Sequence, residues 1–161
     1  AFNIGNKKAP YGVSIHTYLV AGQNIKNNQL FLQLPSSEFM QVDLERLLPS
    51  GIEKVDSTEF DFRKLKQISN LFIDHAFKAD TDLPPRVRLI NESKLGVELE
   101  FDESTKWIQV HTADRDGKED ARMAVAIEPM SCPPDAFNSG LDLITLAPNE
   151  RHSFSLKIKQ I

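Results

Sequence analysis

One cysteine, Cys132, is all the thiol this 161-residue chain holds. No disulfide can form within it, and the composition fits a reducing, cytoplasmic setting. Glycine is sparse too, with seven residues and no clustered run, so there is no phosphate-cradling loop. No Gly-x-Ser-x-Gly elbow is present to carry a serine nucleophile. No apolar run approaches the length of a membrane span, and no signal-like stretch opens the chain. Neither sign of charge dominates. With 19 basic and 23 acidic residues the net charge is −4, which gives no electrostatic reason to expect nucleic acid or an anionic membrane as a partner. The four histidines, His16, His75, His111 and His152, lack metal-ligand spacing and have no cysteine cluster to join them. Neither a metal nor another cofactor is expected. The triplet Asn91-Glu92-Ser93 matches a glycosylation acceptor, but such triplets are common by chance and a single-thiol chain reads as cytosolic, so it is set aside.

What the chain does have is two-residue alternation, the mark of strands with one buried face. Leu95, Val97, Leu99 and Phe101 alternate with polar neighbours and glycine; Met123, Val125 and Ile127 precede Glu128 in the same rhythm; Phe154, Leu156 and Ile158 repeat it. Shorter strand candidates are Gln29 to Leu34, Arg86 to Ile90, Trp107 to Thr112 and Leu141 to Leu146. Turn residues punctuate them at Pro35-Ser36-Ser37, Pro49-Ser50-Gly51, Pro84-Pro85, Asp114 to Gly117, and Pro148-Asn149. Helical patterning is weak, and predicts one short turn within Ser37 to Leu48 and another within Phe62 to Ile68. Many short strands between proline and glycine turns predict an all-β sandwich or barrel. With no repeats or linker-like stretches, residues 1–161 read as a single domain. The chain opens on Ala1, and Ala1 to Gly12 reads like the interior of a strand-and-turn protein.

Three groups of residues could carry chemistry. Glu128 follows the alternating run on the face opposite Met123, Val125 and Ile127. Pro129, which cannot donate to a ladder, predicts that the strand ends there, so Glu128 could line a cleft. On residue type alone, an exposed surface glutamate is the better reading. Trp107, Gln109 and His111 share one strand face, and an aromatic beside two hydrogen-bonding groups suits a sugar. A half-buried strand with a core tryptophan is the alternative, preferred without further context. Asp74-His75 follows the apolar patch Leu71-Phe72-Ile73 and could equally be a solvated turn.

Taken together, four segments resemble the aldose 1-epimerase (galactose mutarotase-like) family, in the family's order and at similar spacing. Pro10-Tyr11-Gly12-Val13-Ser14-Ile15-His16-Thr17-Tyr18 resembles the segment ending in His-Pro-Tyr. Leu47-Leu48-Pro49-Ser50-Gly51 with Phe60-Asp61-Phe62-Arg63 resembles its Leu-Pro-Thr-Gly and Asp-Phe-Arg elements. Ile73-Asp74-His75-Ala76-Phe77 resembles Asp-His-x-Phe, and Ala126-Ile127-Glu128-Pro129 with Pro134-Asp135-Ala136-Phe137-Asn138 resembles the segment holding the catalytic glutamate. The resemblance implies an antiparallel β-sandwich of the galactose mutarotase-like type, of which this chain is the C-terminal part. It also implies an isomerase acting on a small-molecule sugar such as galactose or glucose. Glu128 would remove the proton of the anomeric hydroxyl, His16 would protonate the ring oxygen, and Asp74 would hold hydroxyls.

Two departures bear on that reading. Thr17 stands where proline is commonest and Leu19 where an aromatic is usual, the latter also in relatives acting on other hexoses or on hexose 6-phosphates. A phosphate substrate calls for basic residues converging on the pocket, with Arg63, Arg86, Arg88 and Arg122 as candidates. Second, family members are longer and carry, ahead of this region, an arginine and a histidine that bind substrate. A non-catalytic sugar-binding module is therefore the alternative reading. A sandwich cut in half exposes sheet edges and apolar surface, so the chain is expected to form a homo-oligomer or to associate with the missing N-terminal portion.

Overall fold

The computed structural model describes every residue except Leu44 and Asp116, and it consists almost wholly of short antiparallel strands. β1 (Ala9–Tyr11) and β2 (Thr17–Leu19) lead into a 3-10 turn at Asn27–Gln29. β3 (Phe31–Gln33), β4 (Glu38–Val42), β5 (Pro49–Lys54) and β6 (Lys66–Gln67) follow. Next come β7 (Asp74–Lys78), β8 (Arg86–Ile90), β9 (Gly96–Phe101), β10 (Trp107–His111) and β11 (Val125–Met130). A one-turn helix α1 (Ala136–Ser139), β12 (Ile144–Leu146) and β13 (Leu156–Gln160) come last.

Six strands pair in the order β2-β11-β10-β7-β4-β5, five in the order β13-β9-β8-β3-β6, and β1 pairs with β12 in a separate ribbon. The two larger sheets pack face to face, since their alternating apolar residues interleave in one core. Phe39, Phe77, Ile108, Val110, Val125 and Ile127 enter it from the first sheet, and Leu32, Val87, Leu89, Leu99 and Phe101 from the second. The architecture is therefore the antiparallel sandwich that the alternation predicts.

Some local expectations fail for physical reasons. Among the described residues neither Ser37 to Leu48 nor Phe62 to Ile68 is helical. The first holds β4 and then a single turn in which the carbonyl of Asp43 accepts Leu47 N–H at 2.8 Å, with Leu44 outside the described residues, and the second holds β6. β4 buries both faces, Phe39 in the inter-sheet core and Met40 against Ala76 and Trp107 on the far side. A strand covered on both sides loses the alternation that would have identified it. Of the expected turn at Asp114 to Gly117, Asp116 likewise lies outside the described residues.

The strand carrying Glu128 does not end at Pro129 but runs on to Met130. The register to β10 continues through Ile108↔Pro129 and Trp107↔Met130, whereas β2 pairs only with Val125 to Ile127. The carbonyl of Met130 accepts Lys106 N–H at 2.9 Å, so that residue bonds toward β10, and its neighbour Pro129 faces the other way. On that side the segment just before β2 runs alongside, with Ile15 N–H donating to the Pro129 carbonyl at 3.3 Å and Ser14 bridging Met130, so pairing continues past the N–H that proline lacks. Glu98 is a second surprise. It sits on the charged outer face of the five-stranded sheet yet is only 4% exposed, covered by Lys159 at 2.8 Å, Arg88 at 3.5 Å and Arg86 at 3.7 Å.

Candidate active site

The face of the six-stranded sheet turned away from the core carries three rows of side chains, set by register. Thr17 pairs with Ile127, so one step along His16 comes opposite Glu128, which in turn pairs with Gln109, and Gln109 with Ala76. Beside that row lie Tyr18, Ala126, His111 and Asp74. On the other flank lie Met130, Trp107 and Lys78. The short side chains of Ala76 and Ala126 alternate with the longer ones and are covered by them.

Within this face the polar groups meet. His16 Nε2 lies 3.1 Å from Glu128 Oε1, the glutamate side chain only 12% exposed and the imidazole 54%. Burial pushes the Glu128 carboxyl above its ordinary value; His16 pulls it back, Asp74 raises it further, and His111 lowers it. Asp74 accepts a 2.7 Å hydrogen bond from Gln109 Nε2, and its other oxygen is 3.5 Å from His111 Nδ1. Two polar atoms here are buried and unpartnered, Gln109 Oε1 and His111 Nδ1. What a hydroxyl-bearing molecule can reach here is the accessible remainder of His111 and Asp74, whose side chains are 26% and 23% exposed. Tyr18, with its ring 4.9 Å from that of His16, borders the same site.

Trp107 shares the face but not the expected role. It is fully buried, packed with Met40, Ala76, Met130 and Leu141, and its Nε1 donates to Asp142 Oδ2 at 2.8 Å. Covered in this way, the indole has no open face for a sugar. His75, adjacent to Asp74 in sequence, points through the sheet to the core side, against Phe39 and Phe60. The four arginines considered for a phosphate sit elsewhere. Arg63 pairs with Asp56 and Asp61, Arg86 and Arg88 with Glu98, and Arg122 with Asp114. Among the described residues no group of three or more His, Cys, Asp or Glu could hold a metal ion, and no helix is long and apolar enough to cross a membrane.

Tyr18 and Asp142 were not anticipated. Tyr18 follows His16 by two, and strand periodicity alone would have placed both on one face. Nothing in the sequence flags Asp142, whose partner lies 35 residues away.

Comparison with known proteins supplies the family. The sequence profile described as aldose 1-epimerase matches residues 1–159. An uncharacterized protein of Escherichia coli K12, YihR, is 38% identical over 156 residues, covering 97% of this chain and 48% of YihR. Among solved structures, the aldose epimerase homologue of C. elegans superposes with a TM-score of 0.78 at 21% identity, covering 96% of this chain and 53% of its own. The galactose 1-epimerase of Lactobacillus acidophilus gives 0.76 at 22%, covering 98% and 51%. A putative aldose 1-epimerase of E. coli K12 gives 0.74 at 20%, covering 99% and 54%. The chain thus spans about half the length of the relatives it matches.

Proposed function

This chain belongs to the aldose 1-epimerase family, and we propose that its Glu128–His16 pair interconverts the α and β anomers of a hexose such as galactose or glucose. The observation that carries this reading is the 3.1 Å contact between His16 Nε2 and Glu128 Oε1 on the open face of the sheet. Anomer exchange needs one group to take the proton of the C1 hydroxyl while another delivers one to the ring oxygen. A partly buried carboxylate and an imidazole at hydrogen-bonding distance can do both, and reverse roles when the ring recloses. A hexose inserted between them replaces their mutual contact with one bond to each oxygen of the acetal carbon. The C1–O5 bond breaks, the C1–C2 bond rotates, and attack from the other face gives the second anomer.

Asp74, Gln109 and His111 then hold ring hydroxyls, Asp74 as acceptor with its carboxylate oriented by Gln109 Nε2. The placement of Arg63, Arg86, Arg88 and Arg122 away from this face favours an unphosphorylated sugar over a hexose 6-phosphate. Saturation-transfer NMR or polarimetry on α-D-galactose and α-D-glucose tests the proposal. Glu128→Gln and His16→Asn should each slow exchange by about 10²–10⁴-fold. A wild-type rate no faster than either variant removes the catalytic claim.

The second reading is a sugar-binding module without turnover, built on the same Asp74, Gln109 and His111 cluster. Calorimetry with galactose separates the two, because binding without anomer exchange identifies the module. The expected association has a place to act as well. β2 and β5 end the six-stranded sheet, and Tyr18, Val20 and Ile52 on or beside them are exposed. Sedimentation velocity should show self-association, and a single monomeric boundary at all concentrations rules it out.

A further inference from the structure

The backbone N–H of Asp74 has no partner in the sheet ladder. Thr112 donates to the carbonyl of Ile73 at 3.0 Å, which turns Ile73 toward β10. Its neighbour Asp74 therefore directs its own N–H to the opposite edge. On that edge β4 pairs with β7 only at Glu38↔Lys78 and Phe39↔Phe77, and has parted from it before Asp74 is reached. An unpartnered N–H here, at the residue whose carboxylate enters the site, would leave the start of β7 free to shift. The donor is caught by His75 Nδ1, 3.1 Å away, from the ring that follows it in sequence but lies on the other side of the sheet.

We infer that His75 is a positioning residue for Asp74, its neutral ring holding the Asp74 N–H from beneath so that the carboxylate above stays aimed at the sugar. This rests on the reading of the Glu128–His16–Asp74 face as the sugar site. The ring is fixed for that task. It is 7% exposed, its centroid 4.6 Å from that of Phe60 and 5.9 Å from that of Phe39, and from β10 it is paired with Val110. Accepting a bond at Nδ1 requires the tautomer with its proton on Nε2. Protonation would turn the acceptor into a second donor facing the Asp74 N–H. Burial opposes that protonation, and the Asp74 charge works against burial. The other charged groups around the ring are Glu53 of β5 and Glu59 of the following loop, which line the same depression.

Two-bond 1H–15N spectra of the 161-residue chain read the tautomer directly: Nε2 protonated and Nδ1 bare at neutral pH. His75→Asn keeps an acceptor near the Nδ1 position, and His75→Phe keeps the aromatic packing without it. Loss of one such hydrogen bond corresponds to about a tenfold change, so the Asp74 amide should exchange with solvent about tenfold faster in His75→Phe. Its KM for α-D-galactose should rise by a similar factor while kcat moves less, and His75→Asn should recover most of both. An Nδ1-protonated ring, or Asp74 exchange in His75→Phe equal to wild type, overturns the inference. If His75→Phe does not fold, the wild-type tautomer and Asp74 exchange in His75→Asn decide. If the wild type fails to exchange anomers, the reading of the site falls, while the tautomer and amide data still judge the link from His75 to Asp74.

Discussion

At Glu128 opposing effects meet: burial and the Asp74 charge favour the neutral acid, while His16 and His111 favour the carboxylate. Burial dominates, so the carboxyl ionises above its ordinary value of 4.5. The sign of the pH dependence follows. In its proposed role as base, Glu128 works only when ionised, so the rate of anomer exchange should fall on acidification. The midpoint should lie above that of an exposed carboxylate, and a pH–rate profile of galactose mutarotation locates it. An acid limb at or below the ordinary carboxylate value would contradict the role of burial. The same carboxylate explains why residue type alone was a weak guide. Glutamates at strand positions are mostly solvent-facing, and only the contact with His16 and the flanking Asp74 set this one apart.

At the scale of the element, single groups fix how a strand is held. Trp107 donates its indole N–H to Asp142, which reaches in from the segment between α1 and β12. Asp142→Ala leaves that buried donor unpaired and should cost about 1–3 kcal/mol. Because the chain has one tryptophan, a change in its fluorescence reports the same event, and denaturant midpoints measure the loss. The β8–β9 hairpin depends on a close approach instead. A Cβ at Gly96 would lie 2.0 Å from the carbonyl oxygen of Leu89 and 2.8 Å from Cα of Ile90. Both are backbone atoms and cannot swing aside, so Gly96→Ala must push β9 from β8. An overpacking penalty of at least about 1–3 kcal/mol is expected in urea titrations. β7 shows what alternation does at this scale, since it sends Asp74 to the site and His75 to the core.

For the whole molecule, the sandwich buries a titratable ring between its sheets. His75 has its affinity for protons lowered by burial, below the ordinary 6.5. The unfolded chain therefore binds a proton at this residue more readily than the folded one as pH drops. The stability tied to the neutral ring is present above about pH 6.5 and is lost as pH falls below it. Glu128 acts in the opposite sense, because its raised folded value favours the folded state at low pH and gives that up as pH rises above 4.5. Urea midpoints measured against pH in Glu128→Gln isolate the histidine effect. They should decline on acidification, and the decline should flatten in the Glu128→Gln/His75→Phe double variant.

Sequence alone determined the class of the fold, because alternation records, residue by residue, which side of a strand meets the core. It put Glu128 opposite Ile127, and Trp107, Gln109 and His111 on one face, and the resemblance of four segments pointed to His16 and Asp74. It could not tell which strand lies beside which, since that is settled by groups far apart in the chain. The hydroxyl of Thr17 bonds the carbonyl of Ile127 across 110 positions. That pairing, with its neighbours, brings His16 onto Glu128. Tertiary packing also decided what alternation leaves silent: β4 reads as no strand because both its faces are covered, and Trp107 is walled in by Leu141 and Asp142. Pro129 does not end its strand, because β10 on one side and Ser14–Ile15 on the other go on pairing past it. The periodicity of a strand is a local property of the chain, whereas register and burial depend on which distant segment comes to rest against it.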